Sequence, residues 1–165
     1  MGNRSELISF GRYEWHKGFY NDVNAEDSLC NISYTDFFAT LPEDEEFAYD
    51  DAYSLLRGSC HVFAVALSQV LGYTPYIIES ENQKGFHAFC QTYQKRRLFY
   101  LDARGATTSF DEFMDVAKSF VHGEFVIRKI TTQEIEEWKE NENYFAEALS
   151  FAEEIIKKYE ECYLI

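Results

Sequence analysis

Apolar side chains fill residues 62–67, 70 and 71, and on a helix they would cover nearly the whole circumference. A helix that is apolar on all sides lies buried among other elements. Ser59 precedes this run as a favourable N-cap, and Gly72 follows it as a favourable residue just past a helix end. The pattern therefore predicts a central, buried helix over residues 60–71.

After this helix the apolar spacing becomes that of extended chain, with β-branched and aromatic residues in short runs. Strands are predicted at 74–79, 86–93 and 97–102, joined by a loop at 81–85 and then by a charged turn. Connections this short join antiparallel neighbours. A further strand is predicted at 124–130, so the central helix leads into an antiparallel meander.

The segment before the central helix is less regular and rich in aromatic side chains. Residues 1–35 are predicted to form an irregular cover with one short strand at 7–10. Residues 34–41 and 42–56 are predicted as two helices. The second begins at a proline and carries an acidic, solvated face.

Two capping boxes predict where the later helices begin. The first, at Ser109 and Glu112, opens a helix that should end at about Phe120. The second, at Thr131, opens the last and longest helix, predicted as far as about Cys162. Its apolar residues recur at spacings of three, four and seven, which is the spacing of an amphipathic helix.

At 165 residues the chain is long enough to bury a core without disulfide or metal support. We predict a single domain over 1–165, with an N-terminal cover and helices at 1–57, a core at 58–130 and a C-terminal helix at 131–165. The predicted fold class is α+β, with a central helix packed on a short antiparallel sheet and additional helices at both ends.

The net charge of −14 argues against direct binding to nucleic acid or to an anionic membrane, because both rely on clustered lysine and arginine. An acidic surface is usually a solvated coat, although it can also mimic nucleic acid on a basic partner. Hydrophobic residues make up 46% of the chain and aromatic residues 18%, which indicates a folded protein.

The N-terminus has no apolar run of signal-peptide length, and no window approaches the roughly 18 apolar residues that a membrane helix needs. We therefore expect a cytoplasmic protein. Its four cysteines are Cys30, Cys60, Cys90 and Cys162. They are widely spaced, which favours free thiols over a disulfide framework.

Three residues could form a catalytic set for thiol chemistry. Cys60 begins the central helix, where unpaired N–H groups and the positive helix end favour thiolate. His87 lies on one predicted strand, and Asp102 ends the neighbouring one. Thiol catalysis of acyl transfer needs a nucleophile, a histidine and a group that orients the histidine. Cys90 is expected on the opposite face of the strand from His87, so it does not compete as nucleophile.

The segments Gly58–Ala64, Phe86–Phe89 and Tyr100–Gly105 resemble the papain-like and transglutaminase-like superfamily of cysteine enzymes. The resemblance covers about residues 55–110 and is nearest in size to small bacterial and phage effectors of papain fold. It implies a cysteine nucleophile at Cys60, a general base at His87 and an orienting Asp102. Such an enzyme is a hydrolase or acyltransferase, of protease, deamidase or transglutaminase type, that acts on a protein or peptide without a cofactor.

The second donor of an oxyanion hole is open between Asn31 and residues 50–53, beside the backbone N–H of Cys60. The residue after the cysteine, His61, is expected beside the site or packed on the sheet. Arg104 is expected to pair with an acidic helix in preference to binding an anionic substrate group.

Two other interpretations compete with the thiol enzyme. Zinc could be held by Cys60, His61, His87 and Cys90, but successive helix residues point about 100° apart, which makes the geometry poor. The other is a non-catalytic acidic binding or inhibitor protein on the same scaffold. Its working surface would be residues 43–51 together with the C-terminal glutamates, namely Glu136, Glu137, Glu140, Glu153 and Glu154.

Overall fold

The computed structural model describes residues 6–10, 13–17, 55–56, 58–81, 85–158 and 160–165. Its helices are α1 (Cys60–Leu71), α2 (Phe110–Ala117), α3 (Thr132–Asn141), α4 (Phe145–Lys158) and a short 3-10 helix (Glu160–Cys162). Its strands are β1 (Glu6–Phe10), β2 (Tyr13–Lys17), β3 (Thr74–Ser80), β4 (Phe86–Gln94), β5 (Arg97–Asp102), β6 (Gly105–Thr107) and β7 (Phe125–Lys129). The described residues therefore confirm the predicted α+β class.

The larger sheet has the strand order β6-β5-β4-β3-β7, and every neighbouring pair is antiparallel. Strands β3 to β6 form the predicted meander, and β7 adds to the free side of β3. The charged turn is also confirmed, because Lys95 and Arg96 both have positive φ, at 51° and 64°, between β4 and β5. Strand β6 was not predicted, since three residues are too few to carry a spacing.

Helix α1 confirms the predicted central helix and packs against β4 and α4. Its residues from Cys60 to Leu67 are buried, whereas its last turn is partly exposed. Gly72 ends the helix at φ 79°, a left-handed conformation that glycine adopts without strain. Ser59 is the N-cap residue, as predicted, but its side chain makes no capping hydrogen bond. Its carbonyl accepts instead from the N–H groups of Val62 and Phe63.

Alternation along the strands sends their side chains to two separate cores. Ala88, Cys90 and Leu101 pack with α1 and α4 on one face. Ile78 and Phe89 pack with α2 on the other face. The sheet is therefore covered on both sides, and residues 87–90 of its central strand β4 are buried.

Helix α2 begins as predicted, with the Ser109 hydroxyl accepting from the backbone N–H of Glu112 at 3.1 Å. It ends at Ala117, earlier than the predicted Phe120, because residues 118–120 turn back towards β7. The backbone N–H of Phe120 donates to the carbonyl of Ala117 at 2.9 Å, which closes this turn.

The prediction of one helix from Thr131 to about Cys162 is wrong. The capping box at Thr131 is present, but the chain leaves the helix at Glu142, where φ is −108° and ψ is 103°, before α4 begins at Phe145. Glu142 lies between Asn141 and Asn143, and asparagine is a poor helix former. The break turns the side chain of Glu142 towards the start of α1.

In the N-terminal segment the short strand predicted at 7–10 is confirmed within β1, which pairs with β2 from Glu6–Lys17 to Phe10–Tyr13. The prediction that 13–17 is irregular is wrong, and the overlooked signal is the alternation of aromatic and charged residues in that segment. The predicted helix at 34–41 lies outside the described residues, as does that at 42–56 except for its last two residues. Those two, Leu55 and Leu56, are helical and fully buried.

Candidate active site

Cys60 is the first residue of α1, so its side chain lies at the positive end of the helix. The N–H groups of Val62 and Phe63 are bound by the Ser59 carbonyl. Those of Cys60 and His61 have no acceptor within the helix, as is general for a first turn. Cys60 is 6% exposed, so the sulfur is nearly enclosed.

The sulfur also contacts the backbone of β4. The β4–β5 ladder ends at the pair Cys90–Leu101, and beyond that pair the N–H of Ala88 donates to Sγ of Cys60 at 3.4 Å. The sulfur thus accepts the hydrogen bond that a carbonyl of a neighbouring strand would otherwise accept. A donor aimed at sulfur favours thiolate over thiol.

His87 lies on β4, and its ring packs among Phe89, Phe113 and Phe120, with centroids 5.8–6.5 Å away. Its Nε2 is 3.0 Å from Oδ2 of Asp102. Its Nδ1 is buried and, among the described residues, has no hydrogen-bond partner of regular geometry. The charges of this ring and of the Cys60 sulfur interact, so the free nitrogen is the one available to the thiol.

Asp102 is held by a bidentate pair with Arg104. Arg104 donates from Nε to Oδ1 at 3.0 Å and from Nη2 to Oδ2 at 2.6 Å, and its backbone N–H also donates to Oδ1. Nη2 donates to the carbonyl of Phe113 in α2 as well, at 3.1 Å. The carboxylate that faces His87 is therefore fixed from behind by a residue only two positions later.

The electrostatics favour an ion pair between Cys60 and His87. Burial raises the pKa of the Cys60 thiol, but hydrogen bonds from His61 and His87, the charge of His87 and the Ala88 N–H outweigh burial and lower it to about 6. Burial lowers the pKa of His87, but Asp102 and the Cys60 thiolate raise it to about 8. Between these values the sulfur is a thiolate and the imidazole is protonated.

Asp102 stays ionised despite its burial. Burial raises the pKa of its carboxyl, but the charge of Arg104 and the hydrogen bonds from His87 and Arg104 hold it well below its usual range. A carboxylate that is always ionised fixes the proton of His87 on Nε2 and leaves Nδ1 to face the sulfur. The three predicted residues are thus brought together in the order sulfur, imidazole, carboxylate.

His61 lies beside the site, which is one of the two placements expected from the sequence, but its contact with Glu142 was not predicted. Its Nε2 is 2.6 Å from Oε1 of Glu142, and its ring meets Trp138 edge-on at a centroid distance of 4.8 Å. Its Nδ1 is buried and, like that of His87, has no hydrogen-bond partner of regular geometry among the described residues. Burial lowers the pKa of His61, but interactions with Cys60 and Glu142 raise it overall. The only sequence signal for the position of His61 is that it directly follows Cys60.

The other candidates fall outside this cluster. Cys90 is fully buried, donates its S–H to the carbonyl of Ala64 at 3.2 Å, and has a pKa raised by burial and by the charge of Asp102. Nothing in the part of the chain that is described holds three metal-ligating side chains together, so the zinc interpretation gains no support. Asn31 and residues 50–53, the candidate oxyanion donors, lie outside the described residues.

Comparison with known proteins finds no match for this chain, either among protein-family models, among curated proteins or among solved structures. Among the residues described above, no helix is long and apolar enough to cross a membrane. Fold and site together define an α+β protein with a nearly enclosed cysteine that faces two carboxylate-bound histidines.

Proposed function

We propose that this protein is a thiol enzyme that attacks an amide or ester carbonyl through Cys60, with His87 as acid and base and Asp102 as the orienting group. The observation that carries the proposal is the His87 ring, whose Nε2 is bound to Asp102 at 3.0 Å while its Nδ1 is left to the Cys60 sulfur. Three side chains held in this order by separate elements are the arrangement that nucleophilic catalysis requires.

In the first step the Cys60 thiolate adds to the carbonyl carbon, and the C–S bond forms as the carbonyl π electrons move to oxygen. Collapse of this intermediate breaks the bond to the leaving amine or alcohol, which takes the proton of His87 and leaves a thioester. Water then gives hydrolysis or deamidation, and an amine gives transfer, with neutral His87 taking the proton of the incoming group. The sulfur departs again as thiolate.

The arrangement of elements supports a papain-like or transglutaminase-like scaffold for this chemistry. Helix α1 carries the cysteine at its N-terminus and packs on an antiparallel sheet, while His87 and Asp102 lie on the neighbouring strands β4 and β5. We propose a protein or peptide as substrate, as for the small effectors of this fold. The cytoplasmic location expected from the sequence suits a free thiol of this kind.

The test is alkylation of the native protein with iodoacetamide at mildly acidic pH, followed by peptide-resolved mass spectrometry. We expect labelling at Cys60 in wild type and its loss in Cys60→Ala, with the circular dichroism spectrum unchanged. Cys90→Ala is the matched control and should label as wild type does, because Cys90 is inert and bound to Ala64. Equal labelling of wild type and Cys60→Ala would sink the proposal.

A second candidate function is a non-catalytic, acidic binding protein on the same scaffold. It is favoured by burial, since Cys60 is 6% exposed and His87 is fully buried. Exposed glutamates also line α3 and α4, namely Glu136, Glu137, Glu140 and Glu154 with Glu153 half-buried, whereas residues 43–51 lie outside the described part. Labelling of Cys60 only in the presence of urea would favour this candidate over the enzyme.

A further inference from the structure

His61 faces the same sulfur as His87 and is held just as directly by a carboxylate, yet the proposed reaction uses only His87. We propose that His61, oriented by Glu142, is a second catalytic imidazole that takes the proton of the Cys60 thiol and stabilises the thiolate that results. This inference rests on the proposed thiol chemistry and assigns it a residue that the triad does not include.

The geometry of His61 is that of a built site. Its Nε2 lies 2.6 Å from Oε1 of Glu142, and the ring is held between Trp138 and Phe145 at 4.8 and 6.0 Å. With Nε2 bound to the carboxylate, Nδ1 is the remaining nitrogen; it is buried, has no hydrogen-bond partner of regular geometry among the described residues, and interacts with the Cys60 sulfur. A buried nitrogen without a regular hydrogen bond calls for an explanation, and its interaction with the sulfur supplies one.

Access to solvent separates the two imidazoles. The side chain of Asp102 behind His87 is 2% exposed, whereas that of Glu142 behind His61 is 24% exposed. Asp102 is also neutralised by Arg104 and cannot take up a proton at ordinary pH. Among the described residues, the histidine-bound carboxylate in contact with water is therefore the one behind His61, and a small anion can reach its place from solvent.

The proposed step moves one proton and no electrons. The S–H bond of Cys60 breaks as an N–H bond forms at Nδ1 of His61, while the proton on Nε2 stays in its hydrogen bond to Oε1 of Glu142. The sulfur is left as thiolate, and the carboxylate holds the imidazolium beside it.

The charged and titratable groups around His61 are few in the described part of the chain. Cys60 and Glu142 interact with the ring directly, and His87 reaches it through the shared sulfur. The hydroxyl of Tyr144, just after α3, interacts with Glu142. The ring neighbours from α3, α4 and β4, which are Trp138, Phe145 and Phe86, carry no charge.

The test is the pH profile of Cys60 alkylation in Glu142→Ala, with and without formate, which is a carboxylate small enough to enter the place of the missing group. We expect the rate near pH 5, below the thiol pKa of about 6, to fall about tenfold, the effect of one pKa unit at the thiol, and formate to restore most of it. Glu140→Ala, an exposed position near the end of α3, is the matched control and should behave as wild type. Formate should leave wild type unchanged.

His61→Gln supplies the second variant and should be slow without any rescue by formate, because the imidazole that connects sulfur to carboxylate is gone. A wild-type pH profile of alkylation in both variants overturns the role of His61. Slow alkylation of Glu142→Ala that formate does not restore overturns the role of Glu142. Either result leaves the proposed enzyme standing if His87→Gln is slow. If His87→Gln also alkylates as wild type does, the triad itself fails.

Discussion

The two sides of the Cys60 sulfur carry the same groups in the same order but differ in what lies behind them. On one side His87, Asp102 and Arg104 are 0, 2 and 6% exposed and form what we call the closed arm. On the other side His61 leads to Glu142, which is 24% exposed, and these two form the open arm. A histidine–carboxylate pair is therefore a fixed support where its carboxylate is buried and paired, and an adjustable one where its carboxylate meets water.

Sequence distance separates the arms as well. Asp102 and Arg104 are two residues apart, and the strand pairing of β4 with β5 brings His87 to them from 15 residues away. Glu142 is 81 residues from His61 and reaches it only because the chain breaks between α3 and α4. The closed arm is therefore built by one local unit, whereas the open arm depends on how the C-terminal helices dock.

The largest expected effect comes from a substitution in the closed arm. In Asp102→Asn the charge of Arg104 loses its buried partner, and we expect the free energy of unfolding to fall by about 3–5 kcal/mol. Glu142→Gln, the equivalent change in the open arm, should cost about 1 kcal/mol or less, because its carboxylate is partly hydrated. Urea unfolding followed by circular dichroism measures both, and equal losses would contradict the distinction between the arms.

The next effect concerns the ionisation of the sulfur that the arms share. Its alkylation rate should rise with pH through a midpoint of about 6 in the native protein, because the thiolate reacts and predominates above its pKa. Unfolding in urea removes both arms, so the midpoint should move up to about 8.5, the value of a free cysteine. Rates of iodoacetamide labelling across pH, read at the Cys60 peptide, measure the shift. A midpoint in the native protein at or above that of the unfolded chain would contradict the ion pair between Cys60 and His87.

The smallest expected effect concerns the ion pairs of Arg128, which lie away from the sulfur. Arg128 on β7 donates to Glu79 at 2.8 Å and to both oxygens of Glu134 at 2.8 and 2.9 Å, which ties the start of α3 to the sheet. The guanidinium is partly exposed, so Arg128→Gln should lower the free energy of unfolding by about 1 kcal/mol, and by less at high salt.

For this variant Lys118→Gln is the control, because its contact with Asp115 is exposed at both ends and should contribute almost nothing. If α3 supports only the open arm, the change in alkylation rate caused by Glu142→Ala should be smaller when Arg128→Gln is also present. The change caused by His87→Gln should be the same with and without Arg128→Gln. A change in the His87 effect alone would mean that the arms are not independent.

The parts of the fold with local signals could be predicted from the sequence. The all-round apolar run gave α1 from Cys60 to Leu71, and alternation with turn residues gave β3, β4 and β5 within a residue or two. Because β4 and β5 are joined by a two-residue turn, their antiparallel pairing carries His87 close to Asp102. The approach of those two side chains was therefore contained in a short stretch of sequence.

The rest depended on contacts between distant segments. Trp138 and Phe145 are seven residues apart, as on one continuous helix, so the apolar spacing does not mark the break that delivers Glu142. The local signal is the pair of asparagines on either side of Glu142, which alone is too weak to predict a break. Arg104 was expected to pair with an acidic helix, but it pairs with Asp102 and with backbone carbonyls of α2. Its choice of partner is set by the tight turn at Ala103, which no propensity scale records.

The hydrogen bond from the Ala88 N–H to Cys60 Sγ makes the nucleophile a member of the backbone network of the sheet. A thiolate is a strong acceptor for that donor, whereas a sulfur bonded to an acyl group is a weak one. Acylation of the cysteine therefore weakens one backbone hydrogen bond at Ala88 in β4. The rate of hydrogen–deuterium exchange at the Ala88 amide should consequently differ between the free and the acylated sulfur.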